Sequence, residues 1–159
     1  MSNVTDILDR FVILVEAEIS GITKLPNPYD PESAPEIYLK NAYGLAYGAA
    51  TPDPRNVNGD KMYFKREIVY MQIQEIAKVQ TDQVGIKSQL DVMLENELLV
   101  IKAVCSDVNL TNGASSAVAI DTSFVDAEGP ELLEGEDSGK KYFKTLTAFS
   151  VLYSESISS

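Results

Sequence analysis

The stretch KMYFKREIVYMQIQEI, residues 61–76, has the most regular pattern in the chain. It is rich in aromatic and β-branched residues, and charged or amide side chains alternate with apolar ones through much of its length. Alternation of this kind is typical of a β-strand with one face on a core, so we predict a long strand here. The pattern places Phe64, Arg66 and Tyr70 on one face, and Lys65 and Glu67 on the other.

Two segments have the spacing of amphipathic helices. Residues 4–20 place apolar side chains three and four positions apart, which predicts a first helix. The same spacing begins near Thr81 and continues to about Asp107. An alternative ends this second helix near Asn96 and makes VIKAVCSDV, residues 100–108, a strand, because β-branched residues are frequent there. The continuous spacing favours the helix.

The C-terminal part of the chain predicts a long β-hairpin. Its two strands are AVAIDTSFVDAE, residues 117–128, and KKYFKTLTAFSVLYSE, residues 140–155, which both alternate. The segment between them, GPELLEGEDSG at 129–139, is rich in acids and glycines, so we predict a solvated loop. Residues 36–48 predict one further strand, with a bulge near Gly44.

Two segments are rich in turn-forming residues. LPNPYDPESAP, residues 25–35, has four of the seven prolines, and each proline removes a backbone donor and fixes φ. TPDPRNVNGD, residues 51–60, ends in a tight-turn sequence. We expect both segments to be surface loops.

These patterns together predict a single domain over residues 1–159. The fold class is α+β, with a mainly antiparallel sheet and a long terminal β-hairpin, packed by two helices on one face. Hydrophobic residues make up 45% of the chain and charged residues 23%, which is close to a globular average and fits this prediction.

Charge and composition exclude several classes of function. The formal net charge is −11, and clustered cations are what phosphate-backbone binding needs, so nucleic acid is not an expected ligand. The single Cys105 excludes an intrachain disulfide, and the lack of histidine removes the usual zinc-ligand sets. We find neither a secretory leader nor a membrane-length apolar run, so we expect a protein that is made and kept in a cytoplasm.

The sequence has no convincing set of catalytic residues. The phosphate-binding GxxxxGK[ST] motif, the GxGxxG motif and the GxSxG elbow are all missing, and an ordinary serine triad needs a histidine. The acids at 128–137 lack the ligand pattern of an EF-hand loop. Alternation places Asp121 and Asp126 on opposite faces of their strand, as solvated charges. We therefore expect no enzyme activity, no cofactor and no metal.

The order of the predicted elements resembles that of the tail terminator proteins of long-tailed bacteriophages. A helix, a proline-rich loop, a strand and a second loop precede the long strand that contains FKREIVYMQIQEI. A long helix and a terminal hairpin ending in YFKTLTAFSVLYSE follow it. The resemblance covers most of the chain and concerns element order, size and these two tyrosine-containing strands, because the family has no short signature motif.

The resemblance implies a structural subunit of the virion, located at the tail end or neck and assembled in the host cytoplasm. A homo-hexameric ring would cap the tail tube protein, end polymerisation of the tube and offer a joining surface to the head-completion or connector protein. DNA would pass through without specific binding. No membrane, cofactor or catalysis is implied.

Three groups of residues are candidates for contacts in such an assembly. The long strand offers a subunit interface at Phe64, Lys65, Arg66, Glu67 and Tyr70. The turn-rich loops offer a partner contact at Tyr29, Arg55 and Asn56. The acidic loop would line the ring lumen with Glu131, Glu134, Glu136 and Asp137. Negative charge in the lumen discourages DNA from sticking to its wall.

Three other functions remain open alternatives. A head-completion or connector protein of the neck is also small, acidic and ring-forming. A small enzyme that uses carboxylates would have a carboxylate of perturbed pKa inside a deep pocket. A soluble regulatory binding module would stay monomeric and bind a host partner.

Overall fold

The computed structural model describes residues 3–29, 40–53, 61–76, 83–112, 116–134 and 141–156. Within these ranges the chain forms two helices and five strands. In chain order they are α1 (Asn3–Glu18), β1 (Thr23–Lys24), β2 (Asn41–Pro52), β3 (Lys61–Glu75), α2 (Gln83–Ser106), β4 (Asp121–Glu134) and β5 (Lys141–Ser156).

The strands form one sheet in the order β1-β2-β3-β5-β4. The short β1 pairs with β2 in parallel, and every other pairing is antiparallel. The predicted α+β class and the terminal hairpin of β4 and β5 are therefore confirmed. The strand predicted from 61–76 is also confirmed as β3, and it pairs with β5 from Lys61 to Glu75 without a register shift.

Both helices pack on the same face of the sheet, which we call the helix face. The α1 side chains Ile7, Phe11 and Val15 are fully buried at intervals of four, and Phe11 meets Phe149 of β5 edge-on at 5.4 Å between ring centroids. On β3, Ile68 and Gln72 lie four apart and so point to the same side, and they belong to this face. Two helices over one face of a single sheet is the predicted layer arrangement.

The second helix is continuous from Gln83 to Ser106, so the alternative strand at 100–108 is wrong. Helical spacing buries Met93, Val100 and Val104 together against the sheet. A polar contact adds to this packing, because the buried Gln72 side chain donates from Nε2 to the backbone oxygen of Met93 at 2.9 Å and accepts from Asn96.

The turn after α2 is fixed by Asp107. The carboxylate accepts hydrogen bonds from the backbone and hydroxyl of Thr111 at 3.0 and 2.9 Å, and from the backbone of Asn112 at 2.7 Å. Arg10 of α1 donates to the backbone oxygens of Leu110 and Thr111. This turn therefore connects the end of α2 to the outer side of α1.

The described residues cover the opposite face of the sheet, which we call the open face, at one end only. A second apolar cluster there joins Leu25 to Met71, Ile73 and Tyr142. Gly44 lies regularly in the β2–β3 ladder, and a Cβ at this position would come within 2.9 Å of the Cβ of Pro28. The prediction of a bulge near Gly44 is thus wrong. The glycine admits the proline-rich segment, and the register shift in β2 lies between Tyr47 and Ala50.

The strand β4 is longer than predicted and absorbs half of the expected acidic loop. Pairing with β5 continues to Glu134, so residues 129–134 form strand, while 135–140 lie outside the described residues. Two register shifts allow this, one between Phe124 and Asp126 and one between Glu128 and Glu131. Gly129 has a φ of 96°, which favours glycine, and thereby accommodates the second shift.

We expect the Asp107→Asn substitution to lower the free energy of unfolding at pH 7 by about 1 kcal/mol, since it removes hydrogen bonds to a partly solvent-screened carboxylate. Burial tends to raise the pKa of Asp107, but the hydrogen bonds from Asn112 and Thr111, with the charge of Arg10, lower it below the ordinary value. The stabilisation is therefore present above the ordinary pKa and is lost as pH falls through the lowered pKa of the folded state.

Urea denaturation followed by circular dichroism from pH 7 to pH 2.5 measures this difference. The stability of wild-type protein and of Asp107→Asn should converge at the acidic end. Asp91→Asn is the matched control, because Asp91 is exposed on α2 and forms an i,i+4 pair with Lys87. An Asp107→Asn deficit that is independent of pH would contradict the assignment.

We expect Gly129→Ala to destabilise the protein more than Gly21→Ala. Both glycines have positive φ, so alanine at either costs about 1–2 kcal/mol in backbone strain. A Cβ at Gly129 would also lie 2.6 Å from the backbone oxygen of Lys144, whereas nothing lies within 4 Å of one at Gly21. Equal losses in urea denaturation would show that β4 adapts freely at this position.

Candidate functional site

The strand β4 forms one edge of the sheet. Its inner side pairs with β5, and no strand among the described residues pairs with its outer side. An edge strand presents backbone N–H and C=O groups to which another strand can bond. The outer side of β4 is therefore a place at which a second chain can extend the sheet.

Apolar side chains lie exposed along this edge. Phe124, Val125 and Leu132 are 42%, 57% and 52% exposed. Phe124 packs edge-on against Phe149, with 6.3 Å between ring centroids, so its ring is supported from below. Natural edges that have only to stay soluble favour charged side chains, and a row of exposed apolar groups beside a free edge indicates a contact surface.

The two register shifts and Pro130 limit how another strand can pair with β4. Bulges interrupt the ladder, and proline has no N–H to donate. Regular pairing is left to three short runs, at 121–124, 126–128 and 131–134. Because interruptions of this kind suppress indiscriminate edge pairing, the edge is selective for a strand that fits these runs.

The helix α2 adds a second exposed apolar surface next to β4, which it contacts. Four large side chains on α2 are exposed on either side of its buried stripe. They are Val92, Leu94, Leu98 and Leu99. Helical spacing places Val92 with Leu99 on one flank of this stripe and Leu94 with Leu98 on the other, so each flank has an exposed apolar pair that a contact could bury.

The open face has a shallow depression of about 230 Å³ between β3, β4 and β5. Val69, Leu146 and Ala148 form the apolar part of its lining. The rest of the lining comes from Val125, Glu67, Asp126 and Glu128. The depression is thus apolar at its base and acidic around it.

The predicted interface residues of β3 are divided between the two faces. Lys65 and Glu67 are exposed on the open face, and Phe64, Arg66 and Tyr70 lie on the helix face, as the alternation predicts. Tyr70 is fully buried in the core, so its expected contact with a neighbouring subunit is corrected. The strand β3 is also paired on both sides, by β2 and β5, and thus has no free edge to offer.

Arg66 is occupied by contacts within the chain. Its Nε donates to the hydroxyl of Tyr153 and its Nη1 to the backbone oxygen of Gly48, both at 3.2 Å. Its guanidinium carbon lies 5.7 Å from the ring centroid of Tyr47. Phe64 packs against the Tyr153 ring, at 5.7 Å between centroids. Both side chains therefore order the end of the sheet before any partner binds.

Of the three predicted loop contacts, the structure describes Tyr29. Its side chain is 65% exposed, and its hydroxyl accepts a hydrogen bond from the backbone N–H of Tyr47 in β2 at 3.0 Å. Tyr29 therefore covers one donor on the β2 edge of the sheet while most of its ring remains accessible. Arg55 and Asn56 lie outside the described residues.

The predicted lumen acids belong partly to β4. Glu131 lies in the strand and pairs with Lys144 at 3.5 Å, and Glu134 pairs through its backbone with Lys141. Their assignment to a mobile loop is corrected, because the bulge at Gly129 lets the strand continue through them. Glu136 and Asp137 lie outside the described residues.

Asp121 and Asp126 lie on the same face, contrary to the simple alternation. Their cross-strand partners are Leu152 and Ala148, which are four residues apart on β5 and so share the open face. The register shift beside Val125 inserts one extra residue and reverses the parity of the strand up to the second shift, after Glu128. Sequence reasoning therefore missed that β4 directs several acids to one side.

Glu97 of α2 is a half-buried carboxylate. Burial raises its pKa, while a hydrogen bond with Thr147 acts to lower it. Burial, and then the charge of Glu97, raises the pKa of Tyr70 below it. Glu97 belongs to the helix face and does not line the depression. The raised pKa and the depression are thus in different places, whereas a carboxylate enzyme needs them together.

The sequence did contain a signal for the missed edge residues. Phe124–Val125 and Leu132–Leu133 are adjacent apolar pairs, which break the alternation of a strand with one wet face.

Among the described residues no group of three or more histidine, cysteine or acidic side chains is placed to hold a metal ion. Neither described helix is long and apolar enough to cross a membrane.

No protein-family model matches the chain, and the search of curated proteins found no match.

Proposed function

We propose that this protein is a structural virion protein of the tail-terminator type. Copies associate side by side through the free edge of β4, and the closed ring caps the tail tube, ends its polymerisation and offers a joining surface to the head-completion or connector protein. The observation that supports this most is the selective, apolar edge of β4. The resemblance in element order provides the biological setting.

The sheet offers the two unlike edges that a ring requires. One edge is β4, and the other is β2, whose outer side is paired by β1 at Ala42 and Tyr43 and bonded by Tyr29 at Tyr47 within the described residues. Contacts between unlike surfaces are heterologous, and they close into a ring when the rotation between neighbours allows it. A closed ring leaves no edge free to recruit further copies.

The apolar side chains of β4 and α2 supply contact energy for this association. Burying apolar surface contributes roughly 25 cal/mol per Å². Side chains such as Leu132 and Leu98 are about half exposed in the single subunit, so much of their surface is available for burial. Main-chain pairing along β4 then fixes the register of neighbouring copies.

The charge of the subunit suits a channel through which DNA passes. A formal net charge of −11 per copy repels a polyanion, so DNA is expected to move past the ring without specific binding. The proposed location is the virion, at the tail end or neck, after assembly in the host cytoplasm. The role needs no catalysis, no cofactor and no membrane.

We expect Leu132→Lys to weaken ring formation at least tenfold. A lysine within the buried contact would leave a charge without a partner, and such a charge costs more than 1 kcal/mol. The folded subunit should be stable, because Leu132 is half exposed. Native mass spectrometry and negative-stain microscopy over a range of concentrations measure the ratio of ring to monomer.

Ile13→Lys is the matched control for this substitution. Ile13 lies on the outer side of α1 and is 52% exposed, the same fraction as Leu132, but it is not on the edge strand. Rings should persist in this variant. If both variants assemble equally well, the contact does not involve β4, and a wild-type protein that stays monomeric at all concentrations would contradict ring formation itself.

The position of the protein in the virion separates a terminator from a connector. Gold-labelled antibody should bind at the head-proximal end of tails that lack heads. Labelling of filled heads that lack tails, with bare tail ends, would instead show a head-completion protein. Either result leaves the ring contact through β4 intact.

We expect ring formation to strengthen as salt rises from 0.05 to 0.5 M. Like charges on neighbouring copies repel, and the Debye length shortens from more than about 10 Å to less than about 8 Å over this range. The fraction of ring in native mass spectra from matched volatile buffers, checked by sedimentation, measures the change. Weakening with salt would indicate that ion pairs between subunits dominate the contact.

A further inference from the structure

The depression on the open face has a composition that the ring contact does not explain. Its base is formed by Val69 of β3 with Leu146 and Ala148 of β5, and acids from β3 and β4 lie around it. At about 230 Å³ it is smaller than the roughly 300–1,000 Å³ of pockets that bind drug-sized ligands. Its size suits a single long side chain.

The acids around the depression have no basic partner within the part of the chain that the structure describes. Within the described residues no lysine or arginine forms an ion pair with Glu67, Asp126 or Glu128. Neighbouring acids do have such partners, since Glu131 pairs with Lys144 at 3.5 Å. The carboxylates that line the depression therefore have no ion-pair partner among the described residues.

The backbone of β4 places Asp126 and Glu128 on the open face, opposite Ala148 and Leu146. The segment Val125–Glu128 lies between the two register shifts, and bulges commonly re-aim side chains beside binding sites. The first shift brings Asp126 to the open face opposite Ala148. The second depends on Gly129, whose missing side chain lets β4 approach the backbone of Lys144.

We propose that the depression binds one lysine or arginine side chain from a basic segment of a partner protein. Lysine and arginine have an aliphatic stem and a charged end, which match the apolar base and the acidic surroundings. The occupant is a different protein, because the lysines and arginines of this chain are scattered and it has no basic segment of its own to offer. This deepens the proposed function and rests on it for the partner's place in the virion, next to the ring.

A methyl-detected NMR titration tests the proposal on the full-length protein, since Val69, Val125, Leu146 and Ala148 all have methyl groups that remain visible in a ring-sized particle. The probe is an end-blocked glycine-lysine-glycine peptide. The reference peptide has norleucine in place of lysine and therefore keeps the stem but lacks the charge. We expect saturable shifts at these methyls with a Kd on the order of 1–10 mM, and binding of the norleucine peptide at least about fivefold weaker.

Two variants make the outcome specific. Asp126→Asn combined with Glu128→Gln removes two charges at almost constant volume and should weaken lysine binding by about fivefold. Ala148→Leu fills the base and should abolish binding while the charges remain. Asp121→Asn, on the same strand and face but away from the depression, is the control and should change the Kd by less than about twofold.

Other results would overturn the inference. Equal binding of the lysine and norleucine peptides would show that the charges have no role. Equal weakening by Asp121→Asn and by the double variant would show general attraction to an acidic surface. If rings form but the depression does not bind the lysine peptide, only this inference fails. If the peptide binds while the protein stays monomeric, the ring proposal alone fails.

Discussion

The structure depends on the uninterrupted pairing of β3 with β5. Fifteen consecutive residue pairs, from Lys61 with Ser156 to Glu75 with Tyr142, keep one register. Because side chains alternate along a strand, this register decides which residues meet the helices and which stay on the open face. A slip of one position would move Ile68 and Phe149 out of the core under α1 and replace them with Glu67, Ser150 and other polar groups.

The same pairing determines where the chain can interact. A strand bonded on both sides has satisfied its backbone, so β3 and β5 stabilise the sheet and leave interaction to β4 and β2. The most regular pattern in the sequence therefore marks the centre of the sheet and not its contact surface. The irregular strand, with exposed Phe124 and Leu132 and two register shifts, is the one with a free side.

The sequence predicted the elements whose residues follow one period from end to end. The apolar stripe of Ile7, Phe11 and Val15 predicted α1. The continuous helical spacing predicted that α2 ends at about Asp107, and the helix ends one residue earlier, at Ser106. The strand order was beyond sequence reasoning, because period two identifies a strand but not its neighbours. Of the proposed interface residues, Lys65 and Glu67 are exposed and Tyr70 is buried. The burial of Tyr70 was not predicted, because alternation separates the two faces of a strand but does not say which face the helices cover.

The acidic end of β4 was misjudged for a physical reason. Gly129, Pro130 and the following acids have the composition of a loop, and composition reports a residue's average preference. In the structure, the left-handed backbone at Gly129 and the pairing of Glu131 with Lys144 are long-range features of the hairpin. A separate register shift, between Phe124 and Asp126, brings Asp121 and Asp126 to one face. Tertiary pairing here overrides local propensity.

Charge and contact act over different distances in the proposed assembly. Repulsion between copies of net charge −11 extends over roughly one Debye length, about 8 Å at physiological salt, whereas strand pairing and apolar burial act only at contact. Free copies therefore meet a barrier before the attraction begins. A surface that holds copies side by side removes that barrier, and the acidic depression gives a basic partner a means of doing so. In the proposed assembly, the excess of acid that slows the association of free copies would also direct assembly to a basic surface.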